Sequence, residues 1–309
     1  MFCRAMRSKI VVGVDGSPAS DAAVRWAARE AIMRMVPIKL IYVVAPTLAS
    51  SAMAPNHTIT QAEEDRARQV LSRARQTVEE LAGDRPDIHI ERRYAGVVPT
   101  LVDASIDAQM VVVGNSGHAF RRQMLGSVGA GLLHHANCPV TVVPEPESAH
   151  HGSRDDAPVL VGIDGSTASD AVAGLAFDEA SRRGVPLLAL LAWSDVGVFP
   201  ILGMDWRTYR DEGAELLGER LAGWRERYPD VQVHRRLVCD VPDRWLVDES
   251  KNAQLVVLGD GGRGGYAGMH WGSVTCAVVR SARVPVIVVR NGCDEAAERE
   301  WIRRVWGWT

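Results

Sequence analysis

Residues 11–22 read VVGVDGSPASDA, and residues 160–171 read LVGIDGSTASDA. Nine of these twelve positions are identical. Further along the chain, AQMVVVGNSG at 108–117 corresponds to AQLVVLGDGG at 253–262, and each half closes with an apolar run that begins at a proline. Because the match keeps its order along the whole chain, it indicates a tandem repeat of one domain.

The repeat predicts the domain boundaries. We expect a first domain at 1–146, a second at 157–292 and a tryptophan-rich C-terminal tail at 293–309. The segment 144–157, PEPESAHHGSRDDA, is rich in proline, serine and charge and lacks periodicity, so we expect it to be the linker. A chain of 309 residues is long enough for two such domains, each with its own core.

Within each repeat, short β-branched runs alternate with helical patterns. IVVGVD at 10–15 predicts a buried strand, and the apolar spacing that follows predicts a helix with Ser20 as its N-cap. IKLIYVV, IHIERRYA, MVVVGN and PVTVV predict four more strands, with helices at 62–82, 99–107 and 127–136. The fold class is therefore α/β, with two tandem Rossmann-like sandwich domains, each built on a five-stranded parallel sheet.

An aspartate follows the first strand of both repeats. Asp15 and Asp164 each precede Gly-Ser, and aspartate is common in such turns because its side chain accepts hydrogen bonds from nearby backbone. The functional alternative is a carboxylate that accepts a hydrogen bond from a base or a ribose. The duplication of the residue in the same context leaves both interpretations open.

The segment 259–273, GDGGRGGYAGMHWGS, follows the fourth predicted strand of the second repeat. Glycines allow backbone amides to approach a phosphate closely. Ser273 at a helix N-terminus adds a hydroxyl, free N–H groups and the positive end of the helix dipole. We therefore predict a phosphate-binding loop, with a flexible surface loop as the alternative.

Two other phosphate motifs are excluded. Gly259-x-Gly261-x-x-Gly264 has the letters of a dinucleotide fingerprint, but that motif belongs to the first strand–helix turn and requires an acidic residue about 20 positions later. Residues 275–290 contain no Asp or Glu. The motif GxxxxGK[ST] does not occur in the chain, which excludes a P-loop nucleoside triphosphatase.

These residues resemble the universal stress protein family in its tandem form, over nearly the full chain. The family signature is G-x2-G-x9-G-[ST] after the fourth strand, paired with an aspartate that ends the first strand. The second repeat matches it at Asp164, Gly259, Gly262, Gly272 and Ser273. The resemblance implies a site for ATP, with Mg²⁺ as a candidate companion ion, in which the aspartate lies near adenine and ribose and the loop surrounds ribose and phosphates.

The resemblance also implies that backbone at the end of the second strand meets the adenine. By register, this position is Val43 in the first repeat and Ala192 in the second. The first repeat departs from the signature because its middle gap is one residue short and contains no glycine. Its counterparts of the signature residues are Asp15, Gly114, Gly117, Gly126 and Ser127.

The shortened gap contains Arg121 and Arg122. These arginines either offset phosphate charge or are solvated surface residues. We expect the second site to bind ATP more tightly than the first. The tail contains Trp301, Trp306 and Trp308 at spacings that allow a short amphipathic helix, which either packs on its own domain or contacts another subunit.

Composition restricts the compartment and the partners. A net charge of −3 argues against nucleic-acid binding, and no apolar run is long enough for a membrane span. The five cysteines form no CxxC pair and no metal-binding spacing, which fits a reducing cytoplasm. We therefore expect a soluble cytoplasmic protein without a metal cluster.

No Ser/His/Asp constellation, metal cluster or general base accompanies the glycine-rich segment. This favours an ATP-binding stress-response regulator or sensor over an enzyme, with a slow ATPase or a nucleotide-free interaction scaffold as alternatives. The apolar last strand is an edge that needs covering. By resemblance, we expect an intrachain pseudo-dimer through that strand, and a homodimer and an unidentified regulatory partner remain open.

Overall fold

The structure is a computed structural model, and it places the elements of the two repeats in two compact units. The first unit lies within residues 9–145 and the second within residues 155–290. The described residues are 9–44, 61–82, 87–115, 126–145, 155–166, 169–193, 206–239, 241–261 and 272–290. The tail tryptophans at 301, 306 and 308 lie outside these ranges.

The first unit alternates strands and helices from its first described residue to its last. Its elements are β1 (Lys9–Val14), α1 (Pro18–Arg34), β2 (Ile38–Val44), α2 (Gln61–Ala82), β3 (Ile88–Tyr94), α3 (Val97–Ser105), β4 (Ala108–Asn115), α4 (Ser127–His135) and β5 (Val140–Pro144). The second unit repeats this order. Its elements are β6 (Val159–Ile163), α5 (Ser169–Arg183), β7 (Leu187–Trp193), α6 (Trp206–Arg227), β8 (Val233–Cys239), α7 (Pro242–Ser250), β9 (Leu255–Gly259), α8 (Ser273–Ser281) and β10 (Val286–Val289).

Each unit is built on a parallel sheet. The strand order is β3-β2-β1-β4-β5 in the first unit and β8-β7-β6-β9-β10 in the second. In the first unit α1 packs against α2 and α3 against α4, and in the second α5 packs against α6 and α7 against α8. The predicted α/β fold, with helices on both faces of a doubly wound sheet, is confirmed.

The central strands are apolar because both of their faces are covered. Ile10, Val11 and Val12 of β1 have no exposed side-chain surface, and the same is true of Val256 and Val257 in β9. By contrast, β3 lies at the outer edge of its sheet, contains the charged residues Glu91, Arg92 and Arg93 in succession, and has no fully buried residue. Within the described residues, no helix is both long and apolar enough to cross a membrane.

The start of α1 corrects one prediction. Ser17, not Ser20, is the N-cap: its hydroxyl oxygen accepts a hydrogen bond from the Ser20 amide at 3.1 Å. Pro18 follows as the first helical residue, where its missing N–H costs nothing. Ser20 lies inside the first turn, and its hydroxyl oxygen instead accepts from the Asp15 amide at 3.2 Å.

Other element ends differ from the predicted ones by one or two residues, and two of them have a clear cause. The helix α3 begins at Val97, two residues before the predicted start, because Gly96 is its N-cap and its carbonyl accepts from the Thr100 amide and hydroxyl. The strand β5 runs through Pro144, which pairs with Asn115, so it extends one residue into the predicted linker.

A buried ion pair recurs in the first helix of each unit. Arg34 and Glu30 of α1 are joined at 2.5 Å, and Arg183 and Glu179 of α5 at 3.0 Å. All four side chains are at most 8% exposed, and each pair spans one helical turn. Removal of one partner from such a pair leaves a buried charge, which typically costs about 3–5 kcal/mol of stability.

The second helix of each unit is attached through an equivalent aspartate. Asp21 of α1 accepts from the guanidinium of Arg73 on α2, whereas Asp170 of α5 accepts from the indole nitrogen of Trp224 on α6 at 2.9 Å. The charged helix α2 buries only its small or apolar positions, namely Ala67, Leu71, Ala74 and Val78. Its charged face is exposed.

The helices α1 and α5 end differently at equivalent positions. Met35 has φ 53° and is 75% exposed, whereas Gly184 has φ 65°. Left-handed backbone costs an L-residue roughly 1–2 kcal/mol, which glycine avoids. We therefore predict that Met35→Gly raises the free energy of unfolding by about 1 kcal/mol. The midpoint of urea unfolding, followed by circular dichroism, measures the change.

The control for this prediction is Gly184→Ala. A Cβ added at Gly184 would meet no atom within 4 Å, so the cost is conformational rather than steric. This variant should lower the midpoint by a similar amount. A lower midpoint for Met35→Gly would show that the thioether side chain contributes more than the backbone strain costs.

Candidate functional site

The central strands of each sheet separate at their carboxyl ends. The last paired residues are Val12 with Val112 in the first unit and Val161 with Val257 in the second. The strands themselves continue for two or three residues beyond these pairs. This opening lies where the strand order reverses, which is the usual ligand position in doubly wound sheets.

Asp164 lies at this opening in the second unit and is held by three donors. Its Oδ1 accepts from the Ser166 amide at 2.9 Å, the Ser166 hydroxyl at 2.7 Å and the Ser169 hydroxyl at 2.5 Å. Gly165 has φ 79°, which allows the tight turn. Asp164 therefore stabilises the turn, which was one of its two predicted roles. The same hydrogen bonds fix its carboxylate at the sheet edge.

Asp15 occupies the equivalent turn in the first unit but is more exposed. Its Oδ1 accepts from the Ser17 amide at 2.8 Å. The Ser20 hydroxyl bonds the Asp15 backbone, whereas the equivalent Ser169 hydroxyl also bonds the Asp164 carboxylate. The second unit therefore holds its carboxylate more firmly than the first.

The positions predicted to meet a base lie beside these aspartates. Tyr42 pairs with Val14, so Val43 follows at the level of Asp15. Leu191 pairs with Ile163, so Ala192 follows at the level of Asp164 in the second unit. The described register thus brings each predicted backbone position to the same sheet edge as its aspartate.

Hydrogen bonds join the two ends of the glycine-rich segment of the second unit. The Gly272 amide donates to the Asp260 carbonyl at 2.7 Å, and the Thr275 hydroxyl donates to the Gly259 carbonyl at 2.7 Å. These bonds hold the start of α8 against the end of β9. Gly259, Gly272 and Ser273 therefore lie together, whereas Gly262 lies outside the described residues.

The N-terminus of α8 is suited to an anion. Gly272 is its N-cap, and no side chain of the described residues caps the first turn. Ser273 is exposed at the first helical position. The N–H groups of a first turn and the helix dipole both favour a negative group at this place.

The first unit has the same helix end but lacks the side-chain tie. Gly126 caps α4, also without a side-chain hydrogen bond, and Ser127 is exposed. The position of Thr275 is taken by Gly129, which has no hydroxyl to bond the end of β4. The remaining candidates of this unit, Gly117 and the arginines 121 and 122, lie outside the described residues.

The two described glycines of the first site differ in what surrounds them. A Cβ at Gly114 would lie 2.4 Å from the Ala19 carbonyl carbon and 2.6 Å from the Ser20 amide nitrogen. At Gly126, an added Cβ would meet nothing within 4 Å. Helix packing therefore explains the glycine at 114, whereas protein packing does not explain the one at 126.

The structure adds residues that the sequence reasoning missed. Thr275 ties the loop ends, Asp260 supplies the carbonyl that meets Gly272, and Arg220 of α6 donates to the Gly165 carbonyl at 3.3 Å. The Asp260 side chain is only 11% exposed and lies 3.8 Å from the Arg290 guanidinium. Of these residues, only Thr275 could have been found from the sequence, because it follows the last signature residue by two positions.

The described residues contain no group of three His, Cys, Asp or Glu side chains able to hold a metal.

Comparison with known proteins assigns the architecture to a family. A sequence model described as "Universal stress protein family" matches residues 6–144 and again residues 157–290. The chain belongs to the universal stress protein family. Both matches cover a whole repeat, so the resemblance based on the signature residues is confirmed at the level of the family and of its tandem form.

Relatives of similar length support this membership. A universal stress protein of Mycolicibacterium smegmatis is 50% identical over 91% of this chain and 96% of its own. Universal stress protein Rv2623 of Mycobacterium tuberculosis is 47% identical over the same shares of the two chains. The crystal structure of a universal stress protein from Archaeoglobus fulgidus matches with a TM-score of 0.69 at 20% identity, covering 93% of this chain and all of that one. It shows the shared fold.

The contrast between the two glycines gives a prediction. Gly114→Ala should lower the free energy of unfolding by about 1–3 kcal/mol, because the new methyl group overlaps the backbone of α1. Gly126→Ala, the matched control, should cost less than about 1 kcal/mol, because only its capping ability changes. Urea titration of both variants measures the difference, and equal losses would refute the steric explanation.

Proposed function

We propose that this universal stress protein binds ATP at the carboxyl edge of its second unit and acts as a nucleotide-dependent stress-response regulator. The proposal rests on one observation: three features suited to a nucleotide lie at the same edge of the sheet. These are the fixed carboxylate of Asp164, the adjacent backbone of Ala192 and the N-terminus of α8 beside Gly259, whose N-cap Gly272 provides no side-chain hydrogen bond.

The chemistry of these groups matches the parts of a nucleotide. The Asp164 carboxylate can accept from a ribose hydroxyl or an exocyclic amine, and the backbone near Ala192 can bond an adenine edge. The first turn of α8 and the Ser273 hydroxyl offer donors to phosphate oxygens. No described residue cluster could coordinate Mg²⁺ by itself, so a magnesium ion bound with ATP would be held through phosphate oxygens and water.

The two units support unequal affinities. In the second unit, the Ser169 hydroxyl fixes Asp164 and the Thr275 hydroxyl ties the loop ends together. Neither bond forms among the described residues of the first unit: the Ser20 hydroxyl bonds the Asp15 backbone amide, and Gly129 replaces the threonine. Because less order must be gained on binding to a preorganised site, we propose that the second unit binds ATP more tightly.

The regulatory role rests on the chemistry of the site. Of the described carboxylates at this edge, Asp164 is already bonded to hydroxyl and amide donors, and Asp260 is largely buried 3.8 Å from the Arg290 guanidinium, which suits binding better than fast hydrolysis. We propose that occupancy changes the choice of a regulatory protein partner. Association of the units as a pseudo-dimer, and of chains as a homodimer, belongs to the same proposal.

Mass spectrometry of ligand released from freshly purified, full-length protein tests the proposal directly. We expect ATP to be released. Recovery of ADP together with steady phosphate production by the pure protein would favour a slow ATPase. Absence of any nucleotide, combined with no ATP binding in calorimetry, would favour the nucleotide-free scaffold and reject the proposal.

A charge placed at the helix N-terminus separates nucleotide binding from stability. Ser273→Glu should weaken ATP binding to the second unit by at least ~10-fold, because a carboxylate there repels phosphate. The same change should leave stability equal or raise it by about 0.3–1 kcal/mol, because a negative charge favours a helix N-terminus. Calorimetric ATP titration and urea unfolding of the full chain measure the two effects.

Ser127→Glu is the matched control, since Ser127 has the same position and exposure in the first unit. It should leave the tighter ATP-binding event unchanged. If Ser273→Glu binds ATP as well as the unmodified chain does, the phosphates do not lie at α8.

A further inference from the structure

The first unit contains a groove that is lined by none of the residues predicted for its nucleotide site. It has a volume of about 490 Å³ and lies between the strands β1, β2 and β3 and the helix α3. Its lining begins at Lys9, the first residue of β1, whereas Asp15 follows the last residue of that strand. At this end of the groove, six residues of extended chain, about 20 Å, separate Lys9 from Asp15. At its other end the lining includes Arg93, which pairs with Val43 of β2, so the groove runs along β3 toward the level of the predicted base position.

The two walls of the groove carry opposite charge. Lys9, Lys39 and Arg93 line it from the strands. Asp103 of α3 and Asp107, just beyond its end, line it from the helix side and are exposed. The apolar surface between the walls includes Ile41, Thr100 and Ala104.

The cationic wall is held in place by Glu91. Its carboxylate forms ion pairs with both Lys39 and Arg93, and the Lys39 and Glu91 side chains are about one-fifth exposed. Burial raises the pKa of Glu91, but Lys39 and then Arg93 outweigh burial and hold that pKa below its usual value. Glu91 therefore stays ionised at neutral pH and keeps the two cations oriented along the groove.

The second unit fills the equivalent space with its own side chains. The sequences TLVDAS at 100–105 and WLVDES at 245–250 align, so Trp245 replaces Thr100 and Glu249 replaces Ala104. The Arg236 guanidinium lies 5.2 Å from the Trp245 ring centroid and 2.7 Å from the Glu249 carboxylate. A planar ring and a carboxylate thus occupy, in the second unit, the place that the first unit leaves open.

We propose that the groove of the first unit binds a small zwitterionic ligand of the free amino-acid class. The ligand's carboxylate would face Lys9 and Lys39, its ammonium would face Asp103 and Asp107, and its side chain would cover Ile41. The volume is within the range of about 300–1,000 Å³ that is typical of small-molecule sites. A polyanion such as a nucleotide fits poorly because the helix wall would repel its phosphates.

The test uses the full-length protein and the twenty common L-amino acids as probes. Binding is measured by ligand-detected nuclear magnetic resonance, followed by calorimetry with the strongest binder. We expect at least one amino acid to bind, with an affinity at least ~10-fold weaker for its N-acetyl and its carboxamide derivatives, because each lacks one charge of the zwitterion.

Two variants assign the binding to this groove. Thr100→Trp combined with Ala104→Glu transfers the filling side chains of the second unit and should abolish amino-acid binding while ATP binding persists. Asp103→Asn removes one charge from an exposed position and should weaken binding by ~10-fold. Its matched control is Asp248→Asn, which changes the equivalent exposed position of α7 and should have no effect.

The exposed position of Asp103 keeps the proposal testable if the double variant fails to fold. Absence of binding for all twenty amino acids at millimolar concentration would overturn the proposal. Binding that both Asp103→Asn and the double variant leave intact would overturn it as well. Neither result depends on ATP, so a failure here is distinct from a failure of the nucleotide proposal.

Discussion

The reversal of the chain after the first strand is the constraint on which each unit depends. In the first unit the backbone changes from strand to helix within three residues. Glycine provides the positive φ of this turn, 83° at position 16 and 79° at the equivalent position 165 of the second unit. The preceding aspartate accepts the amide two residues later and fixes the turn. The first turn of α1 then lies against Gly114 at the end of β4. This contact places the N-terminus of α1 beside the opening between the central strands.

The two units use this common frame for different purposes. The second unit adds hydroxyl groups, Ser169 on the aspartate and Thr275 on the strand end, and so stiffens the sheet edge where we place the nucleotide. It also fills the space under α7 with Trp245. The first unit lacks the threonine and keeps an open, charged groove under α3. In our proposals, this divergence between the duplicated units separates two binding tasks within one chain.

The sequence predicted the order and type of the described elements well, because apolar periodicity is a local property. The sequence predicted the first residue of a helix less reliably, because the choice of N-cap decides where the helix begins. Ser17 and Ser20 are both good caps by residue type, and only the position of Pro18 and the hydrogen bond between the serines distinguish them. Of the site, the signature predicted Gly272 and Ser273, whereas Arg220 gave no signal because it reaches the site from a helix distant in sequence.

By itself, the sequence determined the tandem repeat, the parallel α/β fold and the identity of the residues at the strand ends, since each of these is expressed in a local pattern written twice. Only the tertiary structure decided which glycine is sterically required and which faces open space. It also decided that Lys39, Glu91 and Asp103 line one groove. The physical reason is that packing between elements depends on side chains far apart in the chain, and no local periodicity encodes their distances.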